Sequence, residues 1–510
     1  MGIFKKYRLE ILLLLGIVVL FFVLRLPNLT LQPIFADEAI YIRWAQVMRA
    51  EPTLRFLPLS DGKTPLFMWV MIPLLKFFND PLLAGRLLSG FATLVGVTIL
   101  AWKFFGKRVA LWSAFFVAVT PYMVFFDRMA LVDSMLAAFS VWALFLAVTL
   151  VQTYRTDMAM FLGYAIGGGM LTKTPGLFNV LVVPVTLFLF DWKSRNREKR
   201  LLKILGLWVL AFAVAFLIYN ILKLGPEFQN LNSRNQDYIH SPADLLLRPW
   251  DPFLPHASNV LDWFSAFLTL PTFLLVIVGG IWALLKKQKY AVTVLFWSFV
   301  PLLVQMAMLK TFTARYLLFT IPPLLILTAW FLDEILLKTK KRLILMLGLV
   351  VLFLAFSLNF SVWLLTDPQK APLPTEERRG YLEDWTAGYG FPEIAEYLID
   401  QTKNGSVVVG TEGFFGTLPD GLQIYLDKHS HSAPKENRIS IVPSRATVSA
   451  ELRVAAEDHL TFFVANKSRY DKPQENLSLI WEFPKPKGDG YQQDAILFYR
   501  VFPLKEDKSK

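Results

Sequence analysis

Two adjacent carboxylates, Asp37 and Glu38, stand in the segment Pro33-Ile-Phe-Ala-Asp-Glu-Ala-Ile-Tyr41, just beyond the first long apolar run of a 510-residue chain. Ionised groups at the edge of an apolar phase are costly to desolvate, so they call for a partner charge or a chemical task. A carboxylate held there is suited to take the proton from an acceptor hydroxyl as that hydroxyl attacks, while its neighbour orients the base or binds a cation. The structural alternative is that Asp37 caps the following helix and Glu38 sits against that helix's positive end. A third acid, Asp133 in Phe126-Asp-Arg-Met-Ala-Leu-Val-Asp-Ser134, opens another apolar run. It reads either as an N-cap or as a second acid that holds the acceptor or shares a metal.

Lys63, Arg128, Lys173 and Arg315 also lie at the edges of apolar runs, where each cation needs an anion. Arg128 can snorkel or pair with Asp127, and Lys63 can pair with Asp61. Lys173 has no acid near it in sequence, and Arg315 with Tyr316 precedes the proline-interrupted run at Ile321-Pro-Pro323. Several cations facing a headgroup region point to a phosphorylated lipid, which arginine can grip bidentately. The five histidines lie away from the carboxylates, so a histidine metal centre is weakly supported. A divalent ion held by carboxylates is compatible with the acids but not demanded by their spacing. There is no Gly-rich loop followed by Lys-Ser/Thr, which argues against nucleotide hydrolysis. Tyr381-Leu-Glu-Asp-Trp-Thr-Ala-Gly-Tyr389 and Thr411-Glu-Gly-Phe-Phe-Gly-Thr-Leu-Pro419 set rings beside acids, a composition that suits sugar contact as well as buried loop anchors.

The elements that must position these residues are mostly membrane spans. The chain is 55% hydrophobic and only 18% charged, too apolar for an ordinary soluble protein. Its net charge of +12 comes from Lys and Arg clustered between apolar runs, a membrane pattern rather than one for nucleic acid. It has no cysteine, which excludes disulfides and thiolate sites. Apolar runs near 9–26, 82–105, 108–127, 132–151, 158–173, 176–191, 203–224, 260–285, 290–309, 315–337 and 342–365 predict eleven transmembrane helices. Threading them from a cytoplasmic N-terminus, after Lys5 and Lys6, puts every basic cluster from Lys103 to Lys338-Thr-Lys-Lys-Arg342 inside. Residues 27–81 then form the first outer loop, with Glu38–Ala50 an amphipathic helix in the interface and Pro65–Phe78 a second juxtamembrane helix. Residues 1–366 are expected to be the transmembrane domain of an inner-membrane, multi-pass protein, and 367–510 a soluble extracytoplasmic α/β domain. Within the latter, helical 392–399 and 448–456 precede strands 406–410 and 460–464.

As a set, Phe35-Ala-Asp-Glu-Ala-Ile-Tyr41, Gly62-Lys-Thr-Pro-Leu-Phe67, Gly85-Arg-Leu-Leu-Ser89, Arg128 with Asp133, Leu171-Thr-Lys-Thr-Pro175 and Ala314-Arg-Tyr316 resemble the GT-C superfamily of membrane glycosyltransferases. The pattern is closest to the family of dolichyl-phosphate-mannose protein O-mannosyltransferases and bacterial aminoarabinose transferases of lipid A. The resemblance covers about 1–365. It implies a polyprenyl-phosphate-linked sugar as donor, inversion at the anomeric carbon, a hydroxyl acceptor in the cell envelope, and Asp37 as base. It further implies that Asp133 completes the site and that Lys63, Arg128 and Lys173, with Arg315 and Tyr316 nearby, contact the lipid phosphate or its sugar. Where the aminoarabinose transferases carry Glu before the Lys, this chain has Gly62, so a lipid A acceptor does not carry over. The eukaryotic mannosyltransferases insert a β-trefoil between spans, whereas here an α/β domain follows the last one.

Two other classes compete. A flippase or transporter for lipid-linked sugars places charges near mid-span and shows repeated halves, whereas here the charges gather at one face. A noncatalytic envelope scaffold would use the Asp-Glu pair only as a cap.

Overall fold

The computed structural model describes residues 7–503 apart from 89, 249, 433, 435–436, 446, 471–475, 489 and 491. Lys5 and Lys6, and Ser89 of the Gly85–Ser89 motif, lie outside the described residues. The chain forms two compact units, one from Met1–Leu29, Thr53–Val70 and Arg86–Pro374, the other from Thr30–Pro52, Met71–Gly85 and Thr375–Lys510. Two stretches of the expected outer loop, 30–52 and 71–85, are thus grouped with the C-terminal residues rather than with the membrane body.

The first unit is helical. Among the described residues six helices are long and apolar enough to cross a membrane, or seven if Lys107–Val119 and Pro121–Asp127, bent by 56°, make one span. The expected eleven is not reached by length and composition, for identifiable reasons. Arg8–Val23 and Thr156–Thr172 are helices of 16 and 17 residues, short of the roughly 20 that a span takes. The run at 176–191 is broken into Thr174–Leu177, Phe178–Val182 and Val183–Leu189, the first and last of them 3₁₀-helix with proline in the first turn. The run at 260–285 divides into Trp250–Phe267 and Leu270–Lys286, parted where Thr269 takes φ +68° ahead of Pro271.

The second unit carries the expected α/β domain. Strands β1 (Ile34–Phe35) and β2 (Ala387–Gly388) pair antiparallel. Strands β3 (Val407–Glu412), β4 (Ile439–Ser444), β5 (Leu460–Asn466), β6 (Leu477–Pro484) and β7 (Ala495–Val501) form a sheet in the order β4-β3-β5-β7-β6. The inner strand β3 pairs parallel with both neighbours and is buried along its whole length, which suits its Val-Val-Val run.

The helix Ala36–Ala50 packs within this unit, so its polar face meets protein rather than a membrane surface. Arg43 and Arg49 each donate to the buried carboxylate of Asp427, at 2.8 and 2.9 Å, and Gln46 Nε2 donates to Ile424 O. Trp44 lies 5.7 Å from the Phe415 ring, centroid to centroid. The sequence period for an amphipathic helix is correct, but its hydrophilic residues are partners for the helix Asp420–Ser432.

Because Asp427 is the shared acceptor of two arginines, Asp427→Ala is expected to lower stability by about 1–3 kcal/mol. Thermal unfolding of the purified protein measures this, and Asp427→Asn, which keeps an acceptor oxygen, falls between the variant and the wild type.

Candidate active site

The two units contribute separately. In the second, β1 delivers the chain to the helix Ala36–Ala50, whose first turn holds Asp37 and Glu38. Phe35, not Asp37, is the N-cap residue. Glu38 is fully buried and its Oε2 accepts the Phe35 N–H at 3.0 Å, closing the reciprocal half of a capping box. Ala36 N–H donates to Thr386 O, which ties this helix start to the strand pair. Asp37, half-buried, stands one residue inside the helix, in its first turn.

In the first unit four of the expected residues meet. Asp133 is buried in the first turn of the helix Val132–Thr153, whose N-cap is Leu131, so Asp133 is not the cap. Its Oδ1 accepts from Lys173 Nζ at 2.6 Å, and its buried Oδ2 has no hydrogen-bond partner. Lys173 follows the helix Thr156–Thr172 in extended conformation. Its turn is fixed by close approach, since a Cβ on Gly176 would come within 2.3 Å of the Gly169 backbone. The Lys173 ammonium also sits 4.2 Å from the centre of the Tyr316 ring, and the Arg315 guanidinium carbon is 5.4 Å from the same ring. Tyr122 anchors this segment by donating from its hydroxyl to Ala314 O at 2.6 Å.

Arg128 has a different setting. It is buried, and its two Nη groups donate to the carbonyls of Arg25, Pro27 and Asn28 at 2.7, 2.9 and 3.0 Å, while its Nε has no partner. Asp127 does not pair with it. Asp127 Oδ2 accepts from Arg25 Nε at 2.9 Å, and Asp127 Oδ1 from Ser134 Oγ at 2.8 Å.

Lys63 leaves a tight turn at Gly62, where φ is +64°. Its Nζ lies 3.4 Å from Asp61 Oδ2, the local pair its sequence suggests. The other oxygen, Asp61 Oδ1, accepts from Arg234 Nη2 at 3.0 Å. Arg234 also crowds Gly62, since a Cβ there would stand 2.5 Å from Arg234 Cβ. The Asp61 carboxylate raises the Arg234 pKa above its ordinary value. Arg234 was not legible as a site residue, because Asn232-Ser-Arg-Asn-Gln-Asp237 reads as a solvated helix, and the only hint is the glycine it packs on. Among the described residues no three His, Cys, Asp or Glu side chains are grouped to hold a metal ion.

Since Asp133 is buried, Lys173→Met leaves an uncompensated carboxylate and is expected to cost about 3–5 kcal/mol. Adding Asp133→Asn should recover about 1–3 kcal/mol of that loss. A double-mutant cycle of thermal unfolding in detergent reads the coupling, and additive effects would show that the ion pair contributes no stability.

The model of the family described as dolichyl-phosphate-mannose-protein mannosyltransferase matches residues 62–219, a stretch that holds Lys63, Arg128, Asp133 and Lys173. No curated protein matches the chain by sequence. Among solved structures, ArnT from Cupriavidus metallidurans in the apo state is similar at a TM-score of 0.57 and 15% identity, covering 96% of this chain and 97% of that one. The same protein bound to undecaprenyl phosphate matches at a TM-score of 0.53 and 16% identity, over 96% of this chain and 98% of that one. The apo oligosaccharyltransferase of Archaeoglobus fulgidus matches at 0.50 and 14%, over 91% of this chain and 70% of that one. The chain thus shares the fold of ArnT over nearly its whole length, and the mannosyltransferase family match lies within that fold at 62–219.

Proposed function

We propose that this membrane protein is an inverting glycosyltransferase that moves a hexosyl or pentosyl group from a polyprenyl-phosphate donor to a hydroxyl of a protein, lipid or envelope glycan. The observation that carries this is the ion pair of the buried Asp133 with the partly buried Lys173, set against Tyr316 and Arg315. Fixed cations in a water-poor surround stabilise the negative charge that grows on a departing phosphate, and they do so without reorganising. The ArnT structure described as bound to undecaprenyl phosphate supports a lipid phosphate as the ligand.

In the reaction, the acceptor oxygen attacks the anomeric carbon as the bond from that carbon to the phosphate oxygen breaks. The hydroxyl proton passes to the Asp37 carboxylate, and polyprenyl phosphate leaves as the anion. A single displacement with no sugar–enzyme bond inverts the anomeric centre. Glu38, committed to the Phe35 N–H, holds the helix start that carries Asp37. Lys63, Lys173 and Arg315 are assigned to the phosphate or its sugar. Arg128, with both Nη groups on carbonyls, adds positive charge and a single buried N–H rather than a bidentate grip. The sequence threading supports a site on the outer side of the inner membrane, a cytoplasmic N-terminus and an extracytoplasmic domain over 367–510.

Membranes containing the protein are expected to transfer radiolabelled sugar from a polyprenyl-phosphate sugar to endogenous acceptor. Asp37→Asn should reduce the rate by about 10²–10⁴-fold. Undiminished transfer by that variant would remove Asp37 from the role of base.

A further inference from the structure

We infer that Arg234 is a positioning residue for the donor phosphate: by holding Asp61, it governs how far the Lys63 ammonium is available to a lipid phosphate. This rests on the polyprenyl-phosphate reading above. Asp61 lies between two cations, with Arg234 Nη2 at 3.0 Å from one oxygen and Lys63 Nζ at 3.4 Å from the other. The shorter, hydrogen-bonded contact belongs to arginine, and the longer contact leaves lysine the looser partner. Without Arg234, the full charge of Asp61 would fall on Lys63 and compete with any phosphate for it.

The geometry around this triad is over-determined. The Arg234 stem fills the space that a side chain on residue 62 would occupy, so glycine at 62 leaves room for it. Asn230 Nδ2 donates to Ser60 O, fastening the helix Asn230–Tyr238 to the turn before Lys63. At its other end Lys310 N–H donates to Tyr238 O and His240 N–H to Met308 O, which joins the same helix to the strand of chain leading to Arg315. Leu231, Leu59 and Leu171 share one buried cluster, so the turns bearing Lys63 and Lys173 rest against this segment as well. Asp237 takes the other Nη of Arg234 at 3.1 Å and keeps the guanidinium oriented.

The test uses detergent-purified full-length protein, measuring the Kd for undecaprenyl phosphate and the donor KM and kcat of transfer. Lys63→Met is expected to weaken binding by at least about tenfold, and Arg234→Ala by about five- to tenfold, with the larger change in KM than in kcat. Arg234→Lys should stay close to wild type. The decisive variant is Asp61→Asn with Arg234→Ala, expected to return to within about twofold of wild type, because the competing charge is gone. A mere tether, cut at both ends, cannot be restored that way. Wild-type affinity in Arg234→Ala, or a double variant no tighter than Arg234→Ala, overturns the inference. Wild-type protein that binds no undecaprenyl phosphate instead overturns the proposed function.

Discussion

The buried ion pair between Arg25 and Asp127 organises the membrane unit, and it answers a local defect in the backbone. Pro121 has no N–H, so the carbonyl of Val117 lacks its helical donor and the chain bends by 56° at Thr120–Pro121. Arg25 Nη2 and Nη1 donate to Val117 O and Ala118 O at 2.9 and 2.8 Å, its Nε donates to Asp127, and its face lies 3.7 Å from the centre of the Phe21 ring. A buried guanidinium is tolerable because its donors are used and its charge is matched. Asp127 in turn accepts from Ser134, the neighbour of Asp133, so the same network fixes the start of the helix that presents Asp133. Arg128 closes the other side by gathering the carbonyls of 25, 27 and 28.

Charge at the edges of apolar runs was legible in the sequence, but the pairing of those charges was legible only at short range. Lys63 and Asp61, two residues apart, meet as their spacing suggests. Asp127 and Arg128 are adjacent and do not pair, because a neighbour's side chain on a helix end points elsewhere. Asp127 instead takes a partner 102 residues away, and Lys173, which has no acid near it in sequence, finds Asp133 at a separation of 40. One-dimensional spacing carries no information about which helices pack together, and that packing decides each of these contacts.

Periodicity had a similar reach. It located the helix at 38–50, which in the structure starts at Ala36, and the alternation of helices and strands after 375, since both depend on local burial patterns. It could not say that Arg43 and Arg49 would end on Asp427, because a polar face reads the same whether it meets water or a buried carboxylate. Fewer helices than expected spans meet the length test among the described residues where prolines and positive-φ turns divide apolar runs, since hydropathy sums over a break in the helix.

Both lysines assigned to the proposed chemistry lie against a carboxylate. Lys63 lies against Asp61 and Lys173 against Asp133; Asp61 also accepts from Arg234, whereas Arg315 lies over the Tyr316 ring that Lys173 faces. An isolated ammonium in an apolar body would be too costly to keep charged, whereas one fully neutralised by a private acid would have little field left for a phosphate. At Asp61 a shared acid resolves this conflict: it offsets the desolvation of Lys63 while Arg234 draws off part of its charge. Such a site is preorganised for an anion before any ligand arrives, so little reorganisation opposes the growth of charge on the leaving oxygen. In the proposed reaction, the placement of two cations around Asp61, more than the number of cations, is therefore what would prepare Lys63 for a departing phosphate.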